Sequence, residues 1–145
     1  MKKYIYTGME GYLLTKSSVL MKRKLSDLIK NAGYTITLEQ WIILNTLWDN
    51  EGLIQTEIAK KAFKDKTNLT RILDKMERDD LVVRNRSKEN RREYRITITK
   101  NGTKIFRELI PLVQNHNEKI MQIFESDERN QLIDSLQKLI EAMEE

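Results

Sequence analysis

The sequence predicts a mainly α-helical fold carrying one small β-hairpin. Three observations lead there. Six stretches read as helices, several of them with apolar side chains at helical spacing. Around residue 95 the chain alternates apolar and polar residues with a period of two, as a half-buried strand does. One proline and five glycines in 145 residues leave little chain that reads as linker.

The first helix is expected over about residues 9–31, where Leu14, Met21, Leu25 and Leu28, with Ser18 between them, form one stripe. Gly33 is a natural stop. Thr37 suits the N-cap of a second helix that runs to about residue 49, with Leu38, Trp41, Ile43, Leu44 and Leu47 facing a core. Gly52 interrupts that pattern. A short third helix is expected over about 55–63, with Ile58 and Ala59 inward. A fourth, over about 65–79, carries Leu69, Ile72, Leu73 and Met76 at i, i+3, i+4 and i+7.

The period then changes. Leu81, Val82 and Val83 favour a strand, and Tyr94, Ile96 and Ile98 alternate with Arg95 and Thr97. Between them lies the polar loop Ser87-Lys88-Glu89-Asn90-Arg91-Arg92, so the pair reads as a basic hairpin. Thr99 can cap a long helix that begins near Gly102 and that Pro111 should bend. Ser126, Asp127 and Glu128 open a last helix, with acids where the helix dipole favours them.

Charge is unevenly spread. Residues 60–107 hold 16 Lys/Arg against 7 Asp/Glu, a net of +9. Residues 108–145 hold 3 against 9, a net of −6, and residues 1–59 hold 7 against 6, a net of +1. A basic centre beside an acidic C-terminal segment points to a polyanionic partner for the centre alone. A chain of this length buries roughly 70% of the surface its unfolded form exposes. It has no cysteine, which excludes disulfides and thiolate metal sites, and its single histidine, His116, cannot build a zinc cluster within one subunit. No apolar stretch follows the basic start Met1-Lys2-Lys3 that is long enough for a signal peptide or a membrane span, so the cytoplasm is the expected location.

A short helix, a tight turn, a second helix and a hairpin compose a winged helix-turn-helix. The second helix of the pair can enter a major groove about 12 Å wide. Its expected outer face is Asp65, Lys66, Thr67, Asn68, Thr70, Arg71 and Lys75. An Asn can pair bidentately with adenine, and an Arg with guanine or a phosphate. On this reading Lys66, Arg84 and Lys88 meet phosphates. Thr67, Asn68, Thr70 and Arg71 read base edges or adjacent backbone, and Arg92, with Arg91 beside it, reaches into a narrow minor groove.

In order and spacing, these pieces resemble the MarR family of bacterial regulators. The resemblance runs through Leu38-Glu39-Gln40-Trp41-Ile42-Ile43-Leu44, Gln55-Thr56-Glu57-Ile58-Ala59 and Thr67-Asn68-Leu69-Thr70-Arg71. It continues through Leu81-Val82-Val83-Arg84, Asn90-Arg91-Arg92 and Ile98-Thr99-Lys100-Asn101-Gly102. Two positions depart from the family's pattern. Asn90 stands where its wing usually has an Asp that helps orient an arginine, and Asp80 stands where it usually has Gly. A positive φ costs Asp less than most residues, so the turn at Asp80 should survive.

The resemblance implies a homodimer on a pseudo-palindromic DNA site. Residues 1–36 and 101–145 would supply the dimerisation helices, and residues 37–100 the DNA-binding domain. The apolar residues of the flanking helices, among them Leu14, Leu20, Leu112, Ile123, Ile133 and Ile140, point the same way, since a lone subunit would leave them in water. The resemblance also implies a small aromatic or anionic ligand between the dimer helices and the winged domain. Tyr12, Lys16, Trp41, Trp48 and His116 are candidates for its walls, although Trp41 fits core packing better.

The chain shows no nucleophile–base pair, no metal-ligand spacing and no phosphate-cradling glycine loop, so neither an enzyme nor a bound cofactor is expected. The competing reading is a winged-helix module that binds protein or RNA without operator specificity. The cations Arg71, Arg84, Arg91 and Arg92 on one side argue against it.

Overall fold

A computed structural model describes residues 8–50 and 52–144. The basic start at Met1-Lys2-Lys3 lies outside them. Among the described residues the chain forms α1 (Met9–Asn31), α2 (Leu38–Trp48), β1 (Leu53–Ile54), α3 (Gln55–Lys61) and α4 (Lys66–Arg78). It continues with β2 (Val82–Arg86), β3 (Tyr94–Ile98), α5 (Lys100–Met121) and α6 (Ser126–Glu144). The described residues fall into two compact units, one up to Ile110 and one from Pro111 on.

Local chemistry fixes the boundaries in the first unit. α1 ends where Gly33 turns to φ 86°. Thr37 caps α2 reciprocally: its Oγ1 accepts from Gln40 N at 3.2 Å, and Gln40 Oε1 accepts from Thr37 N at 3.0 Å. Gln40 is thereby buried although polar. Asp65 caps α4 by accepting from Asn68 N at 2.8 Å. After α4 the chain reverses through Asp80 at φ 56°, the positive φ that the family resemblance implies there. Thr99 Oγ1 donates to Asp80 O at 2.6 Å and accepts from Gly102 N at 3.0 Å, so one hydroxyl closes that turn and caps α5.

Three expectations need correction. The sheet has three antiparallel strands in the order β1-β3-β2, because Leu53 and Ile54 pair with Ile96 and Arg95. Two residues offer no alternation to read, which hides β1 in the sequence. α3 stops at Lys61, and Phe63 beyond it adopts φ 54°. α5 begins at Lys100, two residues before Gly102. Gly102 matters for close approach instead: a Cβ there would lie 2.2 Å from Leu81 O and 2.8 Å from Ile98 Cγ2.

The core of this unit gathers one apolar face from every element. Ile29, Ile43, Leu44, Ile58, Leu69, Leu73, Met76, Val82, Ile96, Phe106 and Leu109 are all buried. Trp41 stacks on Phe106 with ring centroids 4.6 Å apart, and Trp48 meets the same ring at 4.8 Å. In the second unit Arg129 grips Glu118 through two bonds of 2.9 and 2.8 Å. These bonds hold the Glu118 carboxyl below its usual pKa. Leu132 and Leu136 of α6 are half-buried, whereas Ile133, Leu139, Ile140 and Met143 are exposed.

Candidate nucleic-acid interface

α4 turns Leu69, Ile72, Leu73 and Met76 inward and leaves Lys66, Thr67, Thr70, Arg71, Lys75 and Arg78 outside. Its first turn is fastened to α3. Gln55 Nε2 donates to Thr70 Oγ1 and, at 3.4 Å, to Lys66 O, while Thr70 Oγ1 donates to Lys66 O at 2.9 Å. The Thr70 hydroxyl is therefore already engaged. Arg71 Nη2 donates to Asn68 Oδ1 at 2.8 Å, and Lys75 pairs with Asp79 at 2.7 Å. A shallow concavity on this face is lined by Lys66, Thr67, Thr70, Arg71, Asp74 and Arg78.

The wing is built from β2, β3 and the loop between them. Ser87, buried at 5% exposure, organises that loop. Its Oγ accepts from Glu89 N and Asn90 N at 3.3 and 3.4 Å, and its N–H donates to Glu93 O at 2.9 Å. Asn90 Oδ1 accepts from Arg92 N at 3.0 Å, so the residue that replaces the usual acid pins the backbone of the loop. Lys88, Arg91 and Arg92 are left exposed at the tip. Arg95 joins the wing to the preceding turn, donating to Gly52 O at 3.0 Å and pairing with Glu89 at 3.4 Å. Arg86 lies over the Tyr94 ring across the ladder, 5.8 Å from its centroid.

Arg84 differs from the other cations. Its guanidinium meets Asp74 at 2.8 Å and Glu77 at 3.2 Å, and only 18% of the side chain is exposed. It braces β2 against α4, so its charge is already matched by two carboxylates.

A groove between the wing and the N-terminal ends of α3 and α4 is lined in part by Gln55, Thr56, Lys66, Arg84 and Arg92. Lys66 and Arg92, 26 residues apart in sequence, thus border one groove. Sequence reasoning passes over Gln55, Ser87 and Arg78. Ser87 acts through backbone groups, and Gln55 through a hydroxyl and a carbonyl of another helix, which no local side-chain pattern reveals. Arg78 is one i+7 step from Arg71, a spacing that could have found it.

The expected ligand-wall residues divide into groups. Lys16 Nζ sits 5.6 Å from the Tyr12 ring centroid on α1. Trp41 and Trp48 both pack on Phe106, with the Arg107 guanidinium 5.5 Å from the Trp48 ring. His116 belongs to the second unit, and its Nε2 is buried without a hydrogen-bond partner among the described residues. Among the described residues no group of three or more His, Cys, Asp or Glu could hold a metal ion, and no helix is long and apolar enough to cross a membrane.

Comparison with known proteins matches this architecture to one family. The model of the MarR family matches residues 36–94. The transcriptional regulator SarZ of Staphylococcus epidermidis is 29% identical over 130 residues, covering 89% of this chain and 84% of its own. The transcriptional repressor MprA of Escherichia coli is 26% identical over 137 residues, covering 92% and 78%. Among solved structures, the transcriptional repressor CouR bound to a 23-mer DNA duplex is 26% identical, with a TM-score of 0.81 over 90% of this chain and 91% of that one.

Proposed function

We propose that this chain, which belongs to the MarR family of winged helix-turn-helix transcriptional regulators, acts as a homodimer that sets two copies of α4 into major grooves of a pseudo-palindromic DNA site. One observation carries the site assignment: the exposed cations cluster on α4 and at the wing tip, whereas Arg84, between them, is neutralised and braces the two. Two exposed basic elements set at a fixed angle match a major groove and the flanking backbone of one duplex.

Within that arrangement Lys66 and Lys88 meet phosphates and supply salt-dependent affinity. Thr67, Asn68 and Arg71 face base edges. Thr70, its hydroxyl engaged by Gln55 and Lys66, meets the groove through its methyl group. Arg92, with Arg91 beside it, enters the minor groove. Arg84 positions rather than touches. The exposed apolar side chains Leu14 and Leu20 of α1 and Ile133 and Ile140 of α6 supply the dimer surface. Residues 1–36 and 101–145 then serve dimerisation, and residues 37–100 bind DNA.

Repression is the expected mode, as in the repressors MprA and CouR. A small aromatic or anionic molecule near Tyr12, Lys16, Trp41 and Trp48 would release the DNA by binding one dimer conformation better than another. Non-enzymatic action in the cytoplasm goes with this reading, since the duplex is the target and nothing in the chain suggests catalysis.

The deciding experiment titrates the full chain against the DNA upstream of its own gene, at two salt concentrations, with random duplex as competitor. Tight binding that survives the competitor supports an operator-specific regulator. Equal affinity for both duplexes sinks operator specificity at that site and favours a winged helix turned to another partner.

A further inference from the structure

The Arg71–Asn68 hydrogen bond limits what α4 can read. Arg71 Nη2 donates to Asn68 Oδ1 at 2.8 Å, across an i, i+3 spacing on one helix face. A guanidinium has donors and no acceptor, so the amide can only turn its oxygen toward it. Asn68 keeps the two donors of Nδ2, and Arg71 keeps its remaining N–H groups. Several neighbouring acceptor atoms already hold a donor. Thr70 Oγ1 takes the Gln55 donor and gives its own proton to Lys66 O. Asp65 Oδ1 holds Asn68 N, and Asp74 holds Arg84. Lys66 adds only donors.

The geometry points to Asn68 and Arg71 acting as one donor-rich edge that selects guanine over adenine at the base pair Asn68 reaches. The inference rests on the reading that α4 lies in a major groove. There guanine shows two acceptors, O6 and N7, whereas adenine shows a donor at N6 beside its N7, and cytosine shows a donor at N4. An unencumbered Asn satisfies both groups of adenine at once. Here one of the two lone pairs of Asn68 Oδ1 already takes the Arg71 proton, so a donor at N6 must share the oxygen and sits against the guanidinium, whereas guanine O6 and N7 meet donors alone. Arg71 thus sets the specificity of Asn68 in addition to making any contact of its own.

The test is selection of binding sites from a random duplex library by the full chain, beside Asn68→Ala and Arg71→Ala. Arg71 is exposed on α4 and Asn68 half-buried at the side of that face, Ala favours the helix at both positions, and circular dichroism confirms that each variant is folded. The position whose preference disappears in Asn68→Ala is the one Asn68 reads. The wild type is expected to select guanine there. Arg71→Ala, by releasing Oδ1, is expected to select adenine at the same position. On the selected site, guanine-to-adenine replacement should weaken the wild type about tenfold or more. Adenine chosen by the wild type, a guanine preference that Arg71→Ala leaves in place, or an Asn68→Ala motif identical to that of the wild type overturns the inference and leaves DNA reading intact. Failure of the wild type to enrich any sequence overturns operator reading itself, and this inference with it.

Discussion

Arg84 and Asp74 form a 2.8 Å ion pair, Nη2 to Oδ1, that ties strand β2 to the outer face of α4. Glu77 completes the clamp, accepting from Arg84 Nη1 at 3.2 Å and from Arg84 N at 3.2 Å. Replacing Arg84 by Met keeps much of its apolar stem and leaves two carboxylates without their cation. With the guanidinium mostly buried and the carboxylates half-exposed, the stability loss should be about 1–2 kcal/mol, between the surface and buried limits. DNA affinity should fall similarly on all sequences, because the angle between helix and wing is loosened. The slope of log affinity against log salt should stay unchanged, since no phosphate contact is lost. A shallower slope by about one, seen in titrations at several salt concentrations, would restore Arg84 to direct phosphate contact.

Arg92 should behave in the opposite way. It is exposed at the wing tip, and its backbone is anchored by Asn90 Oδ1 at 3.0 Å. Arg92→Ala should weaken operator binding and reduce the salt slope by roughly one, with thermal stability unchanged. Unchanged affinity and slope in the same titrations remove it from the interface. Comparing Arg84→Met with Arg92→Ala separates a brace from a contact, although both residues are wing arginines.

That distinction marks the limit of what the sequence discloses. Local rules are legible: the Thr37 cap, the amphipathic face of α4 and the alternation of β3 each depend on a few neighbouring residues, whereas the positive φ at Asp80 is implied by the family resemblance. Arg84 reads as one more cation in a basic segment. Its neutralisation depends on how β2 lies against α4, which tertiary packing decides. Ser87 sits in a run of polar residues yet is buried, because loop backbone closes around its hydroxyl. The bond between Arg71 and Asn68 is likewise a side-chain arrangement that the sequence alone does not display.

Phe63 holds a left-handed backbone, φ 54°, with 86% of its surface exposed. It occupies the position after the α3 C-cap at which a helix prefers glycine, and Lys64 N reaches back to Ala59 O at 3.0 Å. The side chain gains little from burial there while its Cβ opposes the turn. Phe63→Gly should therefore stabilise the chain, the relief of about 1–2 kcal/mol being partly offset by the extra freedom of glycine when unfolded. The melting temperature should rise by a few degrees. Phe63→Ala keeps the Cβ and should gain little. A melting temperature for the glycine variant at or below that of the wild type would show that the aromatic ring stabilises the fold in spite of its exposure.

Tyr34, just beyond the end of α1, donates its phenolic proton to Glu108 Oε2 on α5 at 2.6 Å. The hydrogen bond to that carboxylate, aided by partial burial and the nearby negative charge, pushes the phenol above its usual pKa. Folding thus holds this proton more tightly than the unfolded chain does. The resulting stability is complete below the ordinary phenol value of about 10 and fades as pH rises through the higher folded value. Subtracting the alkaline absorbance titration of Tyr34→Phe from that of the wild type isolates this one of five tyrosines. Its midpoint should lie above the ordinary range and move back toward it in Glu108→Gln, where the acceptor remains but the charge is gone. A wild-type midpoint in or below the ordinary range would mean that water, rather than Glu108, takes the proton in solution. The link from the end of α1 to α5 would then lack this hydrogen bond.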